Sequence, residues 1–100
     1  MKIVWSPLAI ERVSEIAQYI AQDDPVLAEK WVDAIFDKVE RLEDFPQSGR
    51  KIPELQRSDL REIVFSNYRI VYQLDQNRVS ILTVRHSRQL LPLDEIRDKE

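Results

Sequence analysis

The chain has one histidine, His86, together with arginine and glutamate residues of the types that could cleave a phosphodiester. Metal-free cleavage of RNA needs a base for the ribose 2′-hydroxyl, a cation for the phosphorane and an acid for the departing 5′-oxygen. His86 could be acid or base, because an imidazole has a reference pKa of about 6.5. Glu54 could be the base, and Arg69 could bind the phosphate through its planar guanidinium. Arg61 or Arg88 could make a second cationic contact.

Each of these candidates also has a structural interpretation. His86 can be a polar residue that ends an edge strand. Arg61 and Glu62, next to Tyr68 and Arg69, can form cross-strand ion pairs worth roughly 0.2–1 kcal/mol each. Glu54 can be a solvated acid in a loop. The residue types alone therefore leave catalysis and structure open as alternatives.

Composition excludes several other kinds of site. The chain of 100 residues has no cysteine, one glycine and one histidine. A single histidine without cysteine cannot build a structural zinc site, and no acidic cluster has metal-binding spacing. A single glycine, Gly49, cannot form a phosphate loop or a dinucleotide fingerprint. We therefore expect one domain, residues 1–100, with no metal and no cofactor.

Nothing in the chain predicts export or membrane insertion. Residues 1–7 carry one positive charge and no long apolar stretch, unlike a secretory signal. The longest apolar runs are far shorter than a membrane span requires. We expect a cytoplasmic protein with no membrane partner.

Charge is distributed unevenly around a net value of −3. Residues 1–48 carry five basic against ten acidic residues, whereas residues 49–91 carry eight basic against four acidic residues. Seven of those eight are arginines, which bind phosphates and carboxylates through a planar fork. Ordinary solvated strand charges are the alternative interpretation. We predict target-binding roles for five of these arginines: Arg50, Arg61, Arg69, Arg85 and Arg88.

The first half of the chain predicts a strand followed by two helices. Residues 2–5 alternate as a strand does, and Ser6 and Pro7 form a helix-start signal. Apolar residues then recur at helical spacing to about Gln22. Asp24 and Pro25 repeat the start signal, and Pro46 ends the second helix. Two amphipathic helices with so short a connection should form an antiparallel hairpin.

The second half predicts a loop over residues 46–59 and an antiparallel meander. Its strands cover residues 60–65, 68–74 and 78–86, and short turns join them. Residues 92–100 form a tail that is disordered or a short helix. The fold class is therefore α+β with the order β-α-α-β-β-β. The helical hairpin should cover one face of the sheet and leave the other free for the arginines.

Four segments taken together resemble the RelE/ParE superfamily of bacterial type II toxins. They are Pro46–Arg50, Leu60–Glu62, Tyr68–Tyr72 and Val84–Arg88, and the resemblance covers nearly the whole chain. It implies a toxin–antitoxin module of the plasmid-stabilisation kind, in which a cognate antitoxin binds and neutralises the toxin as a hetero-oligomer. It also supports a functional role for the basic second half of the chain.

The resemblance leaves three activities open. A ParE-like toxin blocks DNA gyrase, and the pattern of this chain is more similar to that branch. A RelE- or YoeB-like toxin cleaves mRNA on the ribosome, and Glu54, Arg69 and His86 match the acid, arginine and histidine of YoeB-like enzymes. Those enzymes have a tyrosine where this chain has Ser87. A non-toxic interaction module is the third possibility.

The resemblance also makes aromatic residues candidates for antitoxin binding. Trp31 lies on the apolar stripe of the second helix, and Phe36 lies beside that stripe. Tyr72 lies in a predicted strand. We predict antitoxin contacts for these three residues, with burial in the core as the alternative.

Overall fold

The computed structural model describes residues 1–55, 57–88 and 95–96. These residues contain five strands, two α-helices and one short 3-10 helix, and the order of these elements confirms the predicted α+β fold. The elements are β1 (Lys2–Trp5), α1 (Pro7–Ala21), α2 (Pro25–Glu40), the 3-10 helix (Arg41–Glu43), β2 (Arg50–Lys51), β3 (Leu60–Phe65), β4 (Tyr68–Leu74) and β5 (Arg78–His86).

Both helices begin at the residues that the sequence predicts. The Ser6 hydroxyl accepts a hydrogen bond from the backbone N–H of Ala9 at 3.0 Å. The Asp24 carboxylate accepts one from the N–H of Leu27 at 3.1 Å. Each cap is followed by a proline, which needs no hydrogen-bond acceptor in the first helical turn. The short link between the helices turns the chain back and produces the predicted hairpin.

The strands form one sheet in the order β1-β5-β4-β3-β2. β3, β4 and β5 are the predicted antiparallel meander, whereas β1 pairs in parallel with β5. The predicted 46–59 loop contains the two-residue strand β2, which pairs with Arg61 and Glu62. Its two residues have no period that could reveal a strand.

The hairpin of α1 and α2 packs on one face of this sheet, which we call the helix face. The core between them is formed by the predicted apolar stripes of the two helices and by side chains of the strands, whose faces the sequence did not assign. Its buried members are Ala9, Val13, Trp31, Ile35, Val39, Leu42, Ile70, Tyr72, Val79, Ile81 and Val84.

The opposite face, which we call the outer face, is not free as the sequence predicts. A second apolar cluster covers part of it, formed by Ile52, Leu60, Val71, Leu82 and Ile96. A register shift contributes to this cluster, because Val71 pairs with Thr83 and Tyr72 pairs with Ile81. Leu82 is therefore an extra residue in β5, and it packs into the outer cluster. The predicted tail of residues 92–100 lies outside the described residues except for Glu95 and Ile96.

Candidate functional site

Four alternating charges form a row on the outer face, from Arg50 through Glu62 and Arg69 to Glu54. Arg50 Nη2 lies 2.7 Å from Glu62 Oε2, and Arg69 Nε lies 2.6 Å from Glu62 Oε1. The two Nη atoms of Arg69 donate to both oxygens of Glu54 at 2.7 and 2.8 Å. This charge row joins β2, β3 and β4 to the loop that follows β2.

The centre of the charge row is almost completely buried. The exposed fractions of the side chains are 0% for Glu62 and 5% for Arg69. Burial of a charge is costly unless the charge is paired and hydrogen-bonded, and each of these groups has two oppositely charged neighbours. The cross-strand pair between Arg69 and Glu62 that the sequence allows is therefore present, but buried rather than solvated.

The charge row also determines the protonation of Glu54. The hydrogen bonds from Arg69 lower the pKa of Glu54 below its ordinary value, and burial only partly opposes them. The same contact with Glu54 raises the pKa of Arg69. Glu54 is consequently ionised and a weak base. The guanidinium of Arg69 already binds carboxylates, so it is not open to a phosphate.

Tyr72 attaches the loop before β2 to the sheet. Its hydroxyl donates to the backbone carbonyl of Pro46 and accepts from the N–H of Gly49, both at 2.9 Å. Burial raises the pKa of Tyr72, so the hydroxyl keeps the proton that it donates. Arg61 adds a bond from Nη1 to the Gly49 carbonyl at 2.9 Å. We call this set the Tyr72 clamp.

The clamp explains why the one glycine of the chain lies at residue 49. A Cβ atom there would lie 2.4 Å from the Tyr72 hydroxyl and 2.8 Å from the carbonyl oxygen of Glu62. The clash with backbone cannot be relieved by a side-chain rotation. Glycine is therefore required for close approach of the loop to the sheet.

His86 lies on the helix face, away from the charge row. The strand register pairs Tyr68 with His86, and Arg69 with Arg85. The Tyr68 ring contacts His86 at a centroid distance of 5.6 Å and Trp31 of α2 at 5.2 Å. Successive residues of a strand point to opposite faces, so Arg69 points to the outer face while His86 points toward the helices.

The structure therefore does not bring the three nuclease candidates together. Glu54 and Arg69 are in contact on the outer face, and the sheet separates them from His86. The Nδ1 atom of His86 accepts a bond from the N–H of Arg88 at 3.1 Å, which orients the imidazole at the end of β5. General acid–base catalysis needs both groups within reach of one phosphodiester, and this separation does not provide that.

The remaining predicted target-binding arginines differ in accessibility. The side chain of Arg50 is 62% exposed although it contacts Glu62. Arg61 is half-buried by the Tyr72 clamp, and Arg85 is half-buried beside Glu95. Arg88 is exposed, and its side chain makes no ion pair with any residue in the described ranges. Arg50 and Arg88 are thus the two that present most of their charge to solvent.

A second charge cluster was not predicted from the sequence. The Glu95 carboxylate lies 2.7 Å from Arg12 Nη2 of α1 and 3.5 Å from Arg85 Nη1. Its other oxygen accepts a bond from the Thr83 hydroxyl at 2.8 Å. Arg12 and Glu95 are 83 residues apart in the chain, and no local period relates them. The sequence therefore contains no signal that could have revealed this cluster.

The three aromatic residues predicted to contact an antitoxin are mostly inside the protein. Trp31 is 8% exposed and Tyr72 is 0% exposed, and both belong to the core on the helix face. Phe36 is half-buried with its ring centroid 4.8 Å from that of Trp5. Burial in the core, the alternative interpretation, agrees with the positions of Trp31 and Tyr72.

Large apolar side chains are exposed instead near the turn of the helical hairpin. Tyr19, Val26 and Leu27 are each more than half exposed. Beside them, a groove with a volume of about 480 Å³ runs between α1 and α2. Its apolar lining comes mainly from Ala17, Ala21, Ala28 and Val32, and Glu29 and Asp33 also line it.

Among residues 1–55, 57–88 and 95–96, no three His, Cys, Asp or Glu side chains are grouped closely enough to hold a metal ion. Across the same part of the chain, no helix has the length and apolar character needed to cross a membrane.

Known proteins resemble this chain in both sequence and fold. Y4kP of Sinorhizobium fredii, described as a candidate toxin, is 39% identical over 93 residues, covering 91% of this chain and 93% of Y4kP. Toxin RelE2 of Caulobacter vibrioides is 29% identical over 90 residues, covering 89% and 98% of the two chains. A chain from a solved chromosomal ParDE toxin–antitoxin system of P. aeruginosa has the same fold. It has a TM-score of 0.72 at 19% identity and covers 86% of this chain and 95% of that one.

The family model for the ParE toxin of the type II toxin–antitoxin system parDE matches residues 3–91. This range includes the hairpin, all of the sheet except Lys2, the charge row and the Tyr72 clamp. The protein therefore belongs to the ParE toxin family and is a toxin of the ParE/RelE superfamily of type II toxin–antitoxin systems.

Proposed function

We propose that this toxin arrests growth in the cytoplasm by binding and blocking DNA gyrase rather than by cleaving RNA. The observation that carries the proposal is the separation of His86 from the Glu54–Arg69 pair by the sheet. Family membership limits the candidate activities to those of the superfamily. Because inhibition of gyrase needs no acid–base pair, the separation of His86 from Glu54 and Arg69 favours it over RNA cleavage.

The electrostatics of the charge row support the same proposal. Two arginines and two glutamates neutralise each other, so the row has no surplus charge with which to bind RNA phosphates. With a lowered pKa, Glu54 is a poor acceptor for a ribose proton. We infer that Arg69 supports the sheet and the loop, and that target contacts are made by the exposed arginines.

Arg88 is the primary target contact in this proposal. It is exposed in the turn that follows β5, and the Arg88 N–H bond to His86 holds the local backbone. Arg residues are enriched among those that dominate binding at protein interfaces. His86 then has a positioning role at the end of the strand, and the exposed side chain of Arg50 gives a second contact on the outer face although Glu62 balances its charge.

The test is inhibition of DNA supercoiling by purified gyrase, with the purified chain added at micromolar concentration. We expect inhibition by the wild-type chain and a loss of roughly tenfold or more with Arg88→Ala, the effect expected of an interface hot spot. Arg78→Ala is the matched control, because Arg78 lies at the opposite end of the same strand and pairs with Asp75. It should inhibit as the wild type does.

A parallel measurement addresses the RelE-like alternative. Transcripts are mapped after expression of the chain without an antitoxin, for the wild type and for His86→Ala. We expect intact transcripts together with a DNA-damage response. Ribosome-dependent cuts that disappear with His86→Ala would overturn the gyrase proposal, and unchanged growth would favour a non-toxic interaction module.

We further propose that the cognate antitoxin docks on the helical hairpin, in the groove between α1 and α2. The exposed Tyr19, Val26 and Leu27 give it apolar contacts. Glu29 and Asp33 line the groove, and residues 1–48 carry a net charge of −5, from five basic and ten acidic residues. A segment with apolar residues on one side and basic residues beside them would complement this surface. The resulting hetero-oligomer would serve plasmid stabilisation.

A further inference from the structure

The end of α2 and the loop that follows it form a small cavity with a mixed lining. Its volume is about 210 Å³, and the described residues that line it are Lys38, Arg41, Phe45, Ser48 and Ile63. Two backbone hydrogen bonds of 3.0 Å hold this segment, from the Phe45 N–H to the Arg41 carbonyl and from the Ser48 N–H to the Phe45 carbonyl. The fold therefore positions the cavity, which shares no described residue with the charge row, the Tyr72 clamp or the groove of the hairpin.

Two cations that line the cavity have no acidic partner. Lys38 and Arg41 are three residues apart in a continuous helical stretch, so their side chains are neighbours. Neither makes an ion pair with a residue of the described ranges, and none of the described lining residues is acidic. The hydroxyl of Ser48 likewise makes no hydrogen bond within that part of the chain. A lysine, an arginine and a hydroxyl together supply the donors that bind a phosphate group.

The rest of the lining is apolar and includes an exposed aromatic ring. Phe45 is 65% exposed, although phenylalanine is among the residues most often buried. Ile63 of β3, which packs against the core, is the other apolar contributor. Basic residues at the C-terminal end of a helix interact favourably with the helix dipole, which accounts for Lys38 but not for the exposed ring. The ring offers a π face on which a nucleic-acid base can stack.

We propose that Lys38, Arg41, Phe45 and Ser48 form a binding site for a mononucleotide. Its base stacks on the Phe45 ring, and its phosphate contacts the two cations and the Ser48 hydroxyl. Every base has a π face, so stacking tolerates different bases, and the ligand is defined as a class, the nucleoside monophosphates. The proposal goes beyond the block of gyrase and does not rest on it.

A free nucleotide fits the surroundings of the cavity better than a nucleic-acid strand does. Residues 37–48 include two basic and four acidic residues. A strand that extends beyond the cavity would bring further phosphates toward these acids, whereas a single phosphate contacts only the cations that line the cavity. The carboxylate of a protein partner could pair with the same cations, but it would leave the Phe45 ring without a stacking group.

The experiment is a titration of the isotope-labelled full-length chain with adenosine 5′-monophosphate, followed through the NMR shifts of the backbone amides. We expect saturable shifts around residues 38–48, with a dissociation constant on the order of 1 mM, the strength of one stacking contact and one charged contact. Adenosine, inorganic phosphate and N-acetylglutamate each supply only part of this ligand. Each should bind at least roughly fivefold more weakly.

Variants of the ring and of one cation separate the two contacts. Phe45→Leu should weaken binding of the nucleotide roughly 5- to 100-fold, whereas Phe45→Tyr, which keeps an aromatic ring, should bind it as the wild type does. Arg41→Gln should weaken binding of the nucleotide by roughly tenfold or more and leave that of adenosine unchanged, because only the phosphate contact is lost. Lys30→Gln is the matched control, since Lys30 is exposed on α2 and does not line the cavity.

Three results would overturn the proposal. They are absence of saturable binding, equal binding of the nucleotide by Phe45→Leu and the wild type, and equal affinity for the nucleotide and N-acetylglutamate. Tighter binding of a single-stranded oligonucleotide at these residues would also overturn it, because the site would then belong to a nucleic acid. Phe45 and Arg41 are exposed, so these variants should keep the fold, and their amide spectra verify this. The titration contains no gyrase, so its failure is distinct from failure of the proposed function.

Discussion

The Glu62 carboxylate lies 2.6 Å from Arg69 Nε, and the two side chains are buried between the outer face of the sheet and the loop after β2. Glu62 also contacts Arg50, and Arg69 also contacts Glu54. The pair therefore connects three strands and a loop. Its contribution is best measured by removal of one partner and then of both.

Glu62→Ala should lower the free energy of unfolding by about 3–5 kcal/mol, because it leaves the buried Arg69 with an incomplete set of partners. Urea denaturation gives this value. Glu15→Ala, which removes an exposed ion pair with Arg12, is the control and should cost less than about 1 kcal/mol. The double variant Glu62→Leu, Arg69→Met should recover much of the loss, since no buried charge remains unpaired. A loss below 1 kcal/mol for Glu62→Ala would contradict this account of the charge row.

Tyr72→Phe should destabilise the protein by about 1–3 kcal/mol, because the Gly49 N–H and the Pro46 carbonyl lose their buried partner. Tyr19→Phe is the matched control, since the Tyr19 ring is 71% exposed and the change should have almost no effect. Thermal unfolding distinguishes the two variants. Equal midpoints would show that the clamp contributes nothing to stability.

Stability should fall on acidification below the ordinary carboxyl pKa of 4.5. Arg69 lowers the pKa of Glu54 in the folded protein. Burial would raise the pKa of Glu95, but bonds from Arg12 and Thr83 and the charge of Arg85 together lower it. A carboxyl whose folded pKa is lowered stabilises the fold fully above its unfolded pKa. That stabilisation is lost as the pH falls through the folded pKa.

Arg12→Met provides the check, because it removes the strongest donor to Glu95. It should reduce the loss of stability between pH 5 and pH 3. The reduction should be on the order of 1 kcal/mol for each unit by which the difference between the folded and unfolded pKa of Glu95 becomes smaller. Arg78→Met serves as the control, since Arg78 pairs with an exposed acid. Urea midpoints measured across this range test the prediction. Identical slopes for Arg12→Met and the wild type would contradict it.

Leu27→Asp should weaken antitoxin binding by roughly tenfold or more if the hairpin is the docking surface, because it places a charge among the exposed apolar side chains beside the groove. Leu27 is 52% exposed, so the change should leave the fold intact. Val64→Asp is the control, as Val64 is 45% exposed on β3, away from the hairpin. Calorimetry with the purified cognate antitoxin measures the effect. An equal loss with both variants, or with neither, would place the antitoxin elsewhere.

The elements of this fold were predictable because their signals are local. Ser6 and Asp24 act on N–H groups three residues away, and strand alternation depends only on the next residue. β2 had no such signal, since a strand of only two residues is too short to show an alternation of apolar and polar side chains. The outer cluster was missed for a related reason, because Leu82 faces it only after a register shift in β5.

The candidate site was predictable as a set of residues but not as an arrangement. Glu54 and Arg69 meet as an acid and a cation, yet the register of β4 and β5 places His86 on the other face. Trp31 and Tyr72 were candidates for a partner surface because aromatic side chains occur both in protein cores and at interfaces, and the sequence does not distinguish the two. Only the packing of α2 on the sheet decides between those two environments.

The sequence by itself determined the order of the elements and the helix starts, since these depend on residues close together in the chain. It also showed the similarity to a toxin family, through the order and spacing of four short segments. The tertiary structure alone decided which charges neutralise each other. The contact between Arg12 and Glu95 and the burial of Glu62 against Arg69 depend on strand register and on where loops cross the sheet. Charge interactions act over a few ångströms of space, whatever the distance along the chain.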